Sequence, residues 1–128
     1  MILVDTSVLI DYARRWDAKL AALVPLLPLV VCGVVRAELL AGARDLRHRA
    51  QLLMLLNSFL PMPIPDSIWD TVGDNLNTLR TSGVTIPFAD AIIATVAIVN
   101  DIELWARDAH FTLVQRVLPA LKLFAEPP

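Results

Sequence analysis

Met1-Ile2-Leu3-Val4-Asp5-Thr6-Ser7-Val8-Leu9-Ile10-Asp11-Tyr12 is an apolar run that stops at a carboxylate and restarts as a helix. An uninterrupted apolar run of this length suits a strand buried on both faces, as in a parallel sheet covered by helices. Asp5 then falls at the strand's carboxyl end, the edge where open α/β sheets bind ligands. Thr6 and Ser7 are suited to cap the amphipathic segment 8–15, which leaves the Asp5 carboxylate over the sheet edge. Asp5 equally suits a plain cap or turn residue, because strand-Asp-Thr/Ser-helix is a common junction.

The rest of the chain repeats this alternation. A segment at 18–27 is broken by Pro25 and Pro28, which cannot continue a helix, and Leu29-Val30-Val31-Cys32 reads as a short buried strand. A helix is expected over 34–41 with Val35, Leu39 and Gly42 along one side, and another over 46–59 with Leu53, Leu56 and Leu60 at helical spacing. Leu60-Pro61-Met62-Pro63-Ile64-Pro65 cannot be an interior strand, since its prolines remove ladder donors; an extended edge strand or connector fits. Asp66 is placed to cap a helix carrying Ile68, Trp69, Val72, Leu76 and Leu79 on its apolar face, and Gly83 to end it. Pro87 opens a helix over 88–99 that is apolar on every side except at Asp90. All-round hydrophobicity marks a central, buried helix, in which an ionised carboxylate needs compensation. Segments 102–105 and 121–124 read as the remaining strands, 107–111 as the start of the last helix, and Pro127-Pro128 as a frayed tail. Strands alternating with helices predict one α/β domain over 1–128, a sandwich with a mostly parallel central sheet flanked by helices.

Composition narrows the class of protein. A chain of 128 residues fits one domain, and a hydrophobic share of 56% with mean hydropathy +0.61 exceeds the usual soluble average. The excess implies an oligomer or partner interface beyond the core. The longest uncharged stretch, 20–35, is too short and too broken by Pro25, Pro28 and Gly33 to span a membrane. The amino terminus has no basic region and carries an acid at position 5, which argues against a signal peptide. The lone cysteine, Cys32, sits in an apolar run and reads as a free thiol in a reducing compartment. A cytoplasmic protein is therefore expected. A net charge of −2 does not announce a nucleic-acid binder, but Arg44, Arg47 and Arg49 form a local basic cluster able to meet RNA or a partner.

Asp5, Glu38, Asp90 and Asp108 share one position type, at or near the carboxyl end of a strand or the amino end of a helix. Carboxylates brought together without a cation repel, and some are forced to take up protons. Several acids without a histidine or thiolate cluster are the ligand set of a hard cation, magnesium or manganese; His48, His110 and Cys32 lack zinc-ligand spacing. Magnesium commonly bridges to phosphate oxygens, so the implied substrate is a phosphate ester and the implied reaction hydrolysis by a metal-activated water. Thr6 and Ser7 are candidates to support this site. Asp11, Asp45, Asp66, Asp70, Asp74 and Asp101 have ordinary surface or capping explanations.

Val4-Asp5-Thr6-Ser7, Arg36-Ala37-Glu38-Leu39, Asp90-Ala91-Ile92-Ile93-Ala94 and Arg107-Asp108-Ala109-His110-Phe111 together resemble the four acidic motifs of PIN-domain ribonucleases, in order and at similar spacing. The chain length is similar to that of the VapC-like toxins of prokaryotic toxin–antitoxin pairs. The resemblance implies a PIN-like α/β/α sandwich, a divalent metal (Mg2+ or Mn2+) held by Asp5, Glu38, Asp90 and Asp108, and endonucleolytic cleavage of RNA. It also implies a homodimer and inhibition by a small cognate antitoxin, whose basic tail would enter the acidic pocket. Family members often carry a hydroxyl or amide residue two before the fourth acid and sometimes a further acid two after it. Ala106 and His110 stand there, leaving four acids rather than five and His110 either near substrate phosphate or exposed on the last helix.

Three other readings compete with the nuclease. A non-catalytic toxin-like module would keep the acids but act by occupying RNA or a protein. A haloacid-dehalogenase-like phosphatase would want a second aspartate where Ser7 stands, and a response-regulator receiver would want paired acids at the first strand, where Asp5 is alone.

Overall fold

The computed structural model describes residues 1–15 and 17–128. In chain order the described elements are β1 (Ile2–Val4), α1 (Thr6–Arg14), α2 (Ala18–Leu23) running into a 3-10 turn at Val24–Leu26, and β2 (Leu29–Cys32). They continue with α3 (Gly33–Ala41), α4 (Leu46–Asn57), β3 (Leu60–Met62), α5 (Ile68–Thr81), α6 (Phe88–Val99), β4 (Glu103–Trp105), α7 (His110–Val117) and β5 (Lys122–Leu123). The strands form one sheet in the order β3-β2-β1-β4-β5. Every pairing is parallel, with Ile2 opposite Leu29 on one side and Glu103 on the other.

The sequence dictates this order locally. β1 and β2 are buried along their whole length, from Ile2 to Val4 and from Leu29 to Cys32, as a parallel strand covered by helices on both faces must be. Burying each such side chain stabilises the fold by roughly 1.5–3 kcal/mol before entropy is charged against it. The proline-rich segment becomes β3, at the sheet's edge, where Leu60 and Pro61 are exposed. α6 is the buried helix expected, with Asp90 through Ala97 all inside. Its one interior hydroxyl, Thr95, donates to the Ala91 carbonyl at 2.7 Å and accepts from the Asn75 amide at 3.0 Å, which ties α5 to α6. No described helix is long and apolar enough to cross a membrane.

Several local expectations shift. α1 begins at Thr6 rather than Val8, because the Asp5 carboxylate itself caps the helix by accepting the Ser7 N–H. α4 buries Leu52 and Leu56 rather than a Leu53-Leu56-Leu60 stripe, and it stops at Asn57. There the Ser58 hydroxyl donates back to the Leu55 carbonyl at 2.6 Å, an interaction that competes with further helix, and Leu60 passes into β3. Ser67, not Asp66, occupies the cap position of α5, without a side-chain bond. Trp69, expected on the buried face of that helix, is 45% exposed. Asp45 does cap α4, accepting from the His48 N–H at 2.7 Å, and Gly83 follows α5 at φ +82°, a conformation that favours glycine.

The strand order places the candidate site. From β1 the chain builds outward through β2 to β3, then α5 and α6 carry it back to β4 on the other side of β1. The order therefore reverses between β1 and β4, and the crevice beyond the carboxyl ends of those two strands is the ligand position of such sheets. Asp5 follows β1 and Asp108 lies three residues past the end of β4.

Candidate metal centre

Asp5 is 4% exposed and is fixed by Ser7, whose backbone N–H donates to its Oδ2 at 3.1 Å and whose hydroxyl donates to the same oxygen at 2.6 Å. The Asp5 N–H in turn donates to the Trp105 carbonyl at 2.8 Å, holding this residue against the end of β4. Thr6 donates its hydroxyl to Glu38 Oε1 at 3.0 Å, so adjacent hydroxyls hold two different acids. Neither hydroxyl is the helix cap expected of it. Glu38 sits in the second turn of α3, which starts at Gly33. That is beyond the first turn over which the helix dipole acts, so the Thr6 bond rather than the dipole holds it.

Asp90 lies in the first turn of α6 and is 8% exposed. Asp108 lies in the loop between β4 and α7, with its Oδ1 accepting the His110 N–H at 2.9 Å. His110 is not the outlying helix residue it could have been. Its Nδ1 is 3.0 Å from Asp90 Oδ2 and 3.2 Å from Asp108 Oδ1. One ligand atom each from Asp90, Asp108 and His110 falls within 4.8 Å of the other two.

Asp5 and Glu38 lie outside that trio of ligand atoms, and electrostatic coupling reaches them from it. Burial pushes the Asp5 carboxyl above its ordinary range, against the Ser7 hydrogen bonds, and the Asp108 charge raises it further. Burial also raises Glu38, helped by the charges of Asp5 and Asp90. Asp90 is raised by burial and by Asp5 and Asp108, against its bond to His110. The His110 imidazole is raised in turn, chiefly by the hydrogen bond to Asp90. Acids pushed toward neutrality, first by burial and then by neighbouring charges, are short of positive charge. An oxygen-rich donor set with one imidazole at its margin fits a hard divalent cation, and manganese tolerates the nitrogen. Cys32 is buried and its thiol is pushed up by burial, which removes it as a nucleophile.

The other candidates are placed less closely. Arg44 lines a groove of about 1240 Å³ that also takes in Ile10, Glu38, Leu52, Met54 and Leu55, so this groove meets the acids at Glu38. Arg47 and Arg49 are exposed on α4, and no contact draws them to the acids.

Arg107 went unnoticed in the sequence. Its guanidinium meets Asp11, Asp17 and Glu126 at 2.8–3.0 Å, and its backbone N–H donates to the Ser7 hydroxyl at 2.9 Å. The loop that lacks a hydroxyl at Ala106 thus borrows one from Ser7. Asp11, read as an ordinary surface residue, is engaged, as is Glu126, just before the Pro127-Pro128 end read as frayed. The partners lie 96, 90 and 19 residues from Arg107 in the chain, and no local pattern marks such a meeting; the only sign was an arginine beside a motif acid.

Residues 2–117 match the PIN domain. The chain is 34% identical over 123 residues to Ribonuclease VapC10 of Mycobacterium tuberculosis, covering 93% of this chain and 92% of that protein. It is 28% identical over 125 residues to VapC ribonuclease Mb1587 of Mycobacterium bovis, covering 91% and 93%. Among solved structures, VapBC2 from Rickettsia felis bound to a promoter DNA fragment superposes with a TM-score of 0.84 at 20% identity, covering 97% of this chain and 98% of that one. VapBC-1 from nontypeable Haemophilus influenzae gives 0.79 at 23% identity, covering 97% of each chain. At those identities the structural likeness speaks for the fold, an α/β/α sandwich around a parallel sheet. With the PIN match over nearly the whole chain and a close relative of full length, the chain belongs to the PIN-domain family, among the VapC ribonucleases.

Proposed function

We propose that this protein is a divalent-metal-dependent endoribonuclease, the toxin of a toxin–antitoxin pair, in which Asp5, Glu38, Asp90 and Asp108 hold Mg2+ or Mn2+. The observation that carries the reading is geometric: at the sheet's switch point the ligand atoms of Asp90, Asp108 and His110 lie within 4.8 Å of one another, beside Asp5 and Glu38 held by the Ser7 and Thr6 hydroxyls. Bound there, the ion supplies Lewis acidity at the phosphoryl oxygens and a water of lowered pKa. The residues supply geometry. Ser7 fixes one Asp5 oxygen, Thr6 holds Glu38, and the first turn of α6 presents the buried Asp90. His110, its Nδ1 held 3.0 Å from Asp90 and 3.2 Å from Asp108, stands at the margin where a substrate phosphate arrives. Water adds to phosphorus and the bond to the leaving ribose oxygen breaks, so the 2′-hydroxyl takes no part.

The partner is a small antitoxin, as in the VapBC complexes of the same fold. The groove beside Glu38 offers Ile10, Leu52, Met54 and Leu55 to an apolar segment, and the acids beyond offer a site for a basic tail. The protein works in the cytoplasm as a homodimer, to which exposed side chains such as Leu26, Phe88 and Val99 are open.

The test is cleavage of an RNA oligonucleotide carrying one 2′-deoxynucleotide at the scissile position. Cleavage that requires Mg2+ or Mn2+, stops with chelator, persists on the deoxy substrate and yields no 2′,3′-cyclic phosphate is expected. RNA that is bound but never cut would favour the non-catalytic module, and a deoxy substrate bound yet wholly resistant would overturn the water mechanism.

A further inference from the structure

The carboxyl-terminal tail is held far more firmly than its terminal prolines suggest. Beyond β5 the Phe124 N–H donates to the Leu104 carbonyl at 2.8 Å, and the Phe124 ring lies 5.0 Å from that of Trp105. Glu126 follows, and its carboxylate takes both arms of the Arg107 guanidinium, from Nε at 2.9 Å and from an Nη at 2.8 Å. This two-point geometry is the strongest form of an arginine–carboxylate contact. The Trp105 indole N–H adds a third bond to Glu126 at 3.0 Å. The other Nη of Arg107 reaches Asp11 on α1 and Asp17 at the cap of α2. Side chains of Arg107 and Glu126 are 24% and 18% exposed, so solvent screens these pairs only in part.

Arg107 therefore stands between two sets of contacts. Outward, its side chain is gripped by three carboxylates from α1, the α2 cap and the tail. Inward, its N–H fixes the Ser7 hydroxyl, which fixes Asp5, and the next residue is Asp108. We propose that Glu126 and Arg107 are positioning residues, and that the tail is a strap holding the β4–α7 loop so that Asp5, Asp108 and His110 keep the spacing a cation needs. The proposal rests on the metal-dependent nuclease reading. Groups behind metal ligands commonly change affinity or activity by about 10–100-fold when removed.

Glu126→Gln keeps the shape of the side chain and removes its charge, whereas Arg107→Lys keeps the charge and removes the fork. Mn2+ alone is the probe, measured by calorimetry, alongside amide hydrogen exchange of residues 106–110, steady-state cleavage and thermal melting. In both variants Mn2+ affinity and kcat should fall by about tenfold or more, exchange at 106–110 should quicken by at least about tenfold, KM for RNA should stay within about twofold, and melting should remain cooperative. Lys19→Ala, which alters the charge 3.7 Å from Glu126 without breaking the fork, should match the parent. Unchanged exchange and Mn2+ affinity in both variants would overturn the strap. So would an effect of Glu126→Gln absent from Arg107→Lys, since that would be loss of charge rather than loss of position. If the parent binds Mn2+ but cuts no RNA, the nuclease reading fails while affinity and exchange still decide the strap. If the parent cuts and both variants cut equally well, the strap alone fails.

Discussion

Asp90→Asn should abolish RNA cleavage, by at least about 10³-fold, and at the same time raise the melting temperature of the metal-free protein by a few degrees. The two effects have opposite signs for one reason. The carboxylate is buried at the start of α6 beside Asp5 and Asp108, so without a cation its charge opposes folding. The asparagine amide keeps the shape and still offers an oxygen toward His110, but it binds a hard cation far more weakly. Losing the several kcal/mol that a bound cation contributes to the transition state gives the expected loss in rate. Cleavage within tenfold of the parent would remove Asp90 from the mechanism, and a large drop in melting temperature would show that its charge helps the fold.

Manganese at about 100 times its dissociation constant should raise the melting temperature of the parent protein at pH 7.5 by about 10 °C, from the roughly 2.7 kcal/mol of linked binding in a chain of this size. The gain should shrink as the pH is lowered, because protons and metal compete for the same oxygens. Without metal the opposite slope is expected. Asp5, Glu38 and Asp90 are raised in the fold, so it binds protons more readily than the unfolded chain and gains stability as the pH falls. His110 is also raised, and its contribution is present below its ordinary 6.5 and is lost as the pH rises through its folded value. Glu126 and Asp17 act the other way. Glu126 is held down to about 2 by Arg107, and Asp17 is lowered by the same guanidinium. Their contribution is full above the ordinary values of 4.5 and 3.8 and is lost below them. Metal-free stability should therefore rise as the pH falls from about 8 toward the ordinary carboxylate range and decline again in stronger acid, where Glu126 and Asp17 take up protons. A parent protein indifferent to Mn2+, or steadily less stable from pH 8 to 5 without it, would contradict the clustering of the acids.

What could be read from the chain follows the range of each interaction. β1, β2 and α6 declare themselves because full burial leaves an unbroken apolar stretch, and the polar residues that interrupt it, Asp5 and Asp90, then stand out. The parallel order puts Asp5 and Asp108 at neighbouring strand ends. Glu38 was legible as a motif acid, but spacing could not pair it with Thr6, the residue 32 positions away whose hydroxyl holds it. Leu52 and Leu53 could not be told apart by spacing alone, because the phase of α4 is set by the surface it packs on. His110 was ambiguous because the loop between β4 and α7, not the helix periodicity, turns it toward Asp90. Arg107 and Glu126 were invisible for the same physical reason: an ion pair across the fold leaves no period in the sequence.

Asp5, Glu38, Asp90 and Asp108 are proposed to act as one cation site. Anomalous diffraction from crystals of the protein grown with Mn2+ tests it most directly. The expected map has a manganese peak within coordination distance of Asp5 and of at least one of Asp90 and Asp108, with Glu38 reached directly or through water, and no such peak in Asp90→Asn crystals. Manganese bound elsewhere, or a pocket that stays empty at saturating Mn2+ while the parent still cuts RNA, would contradict it.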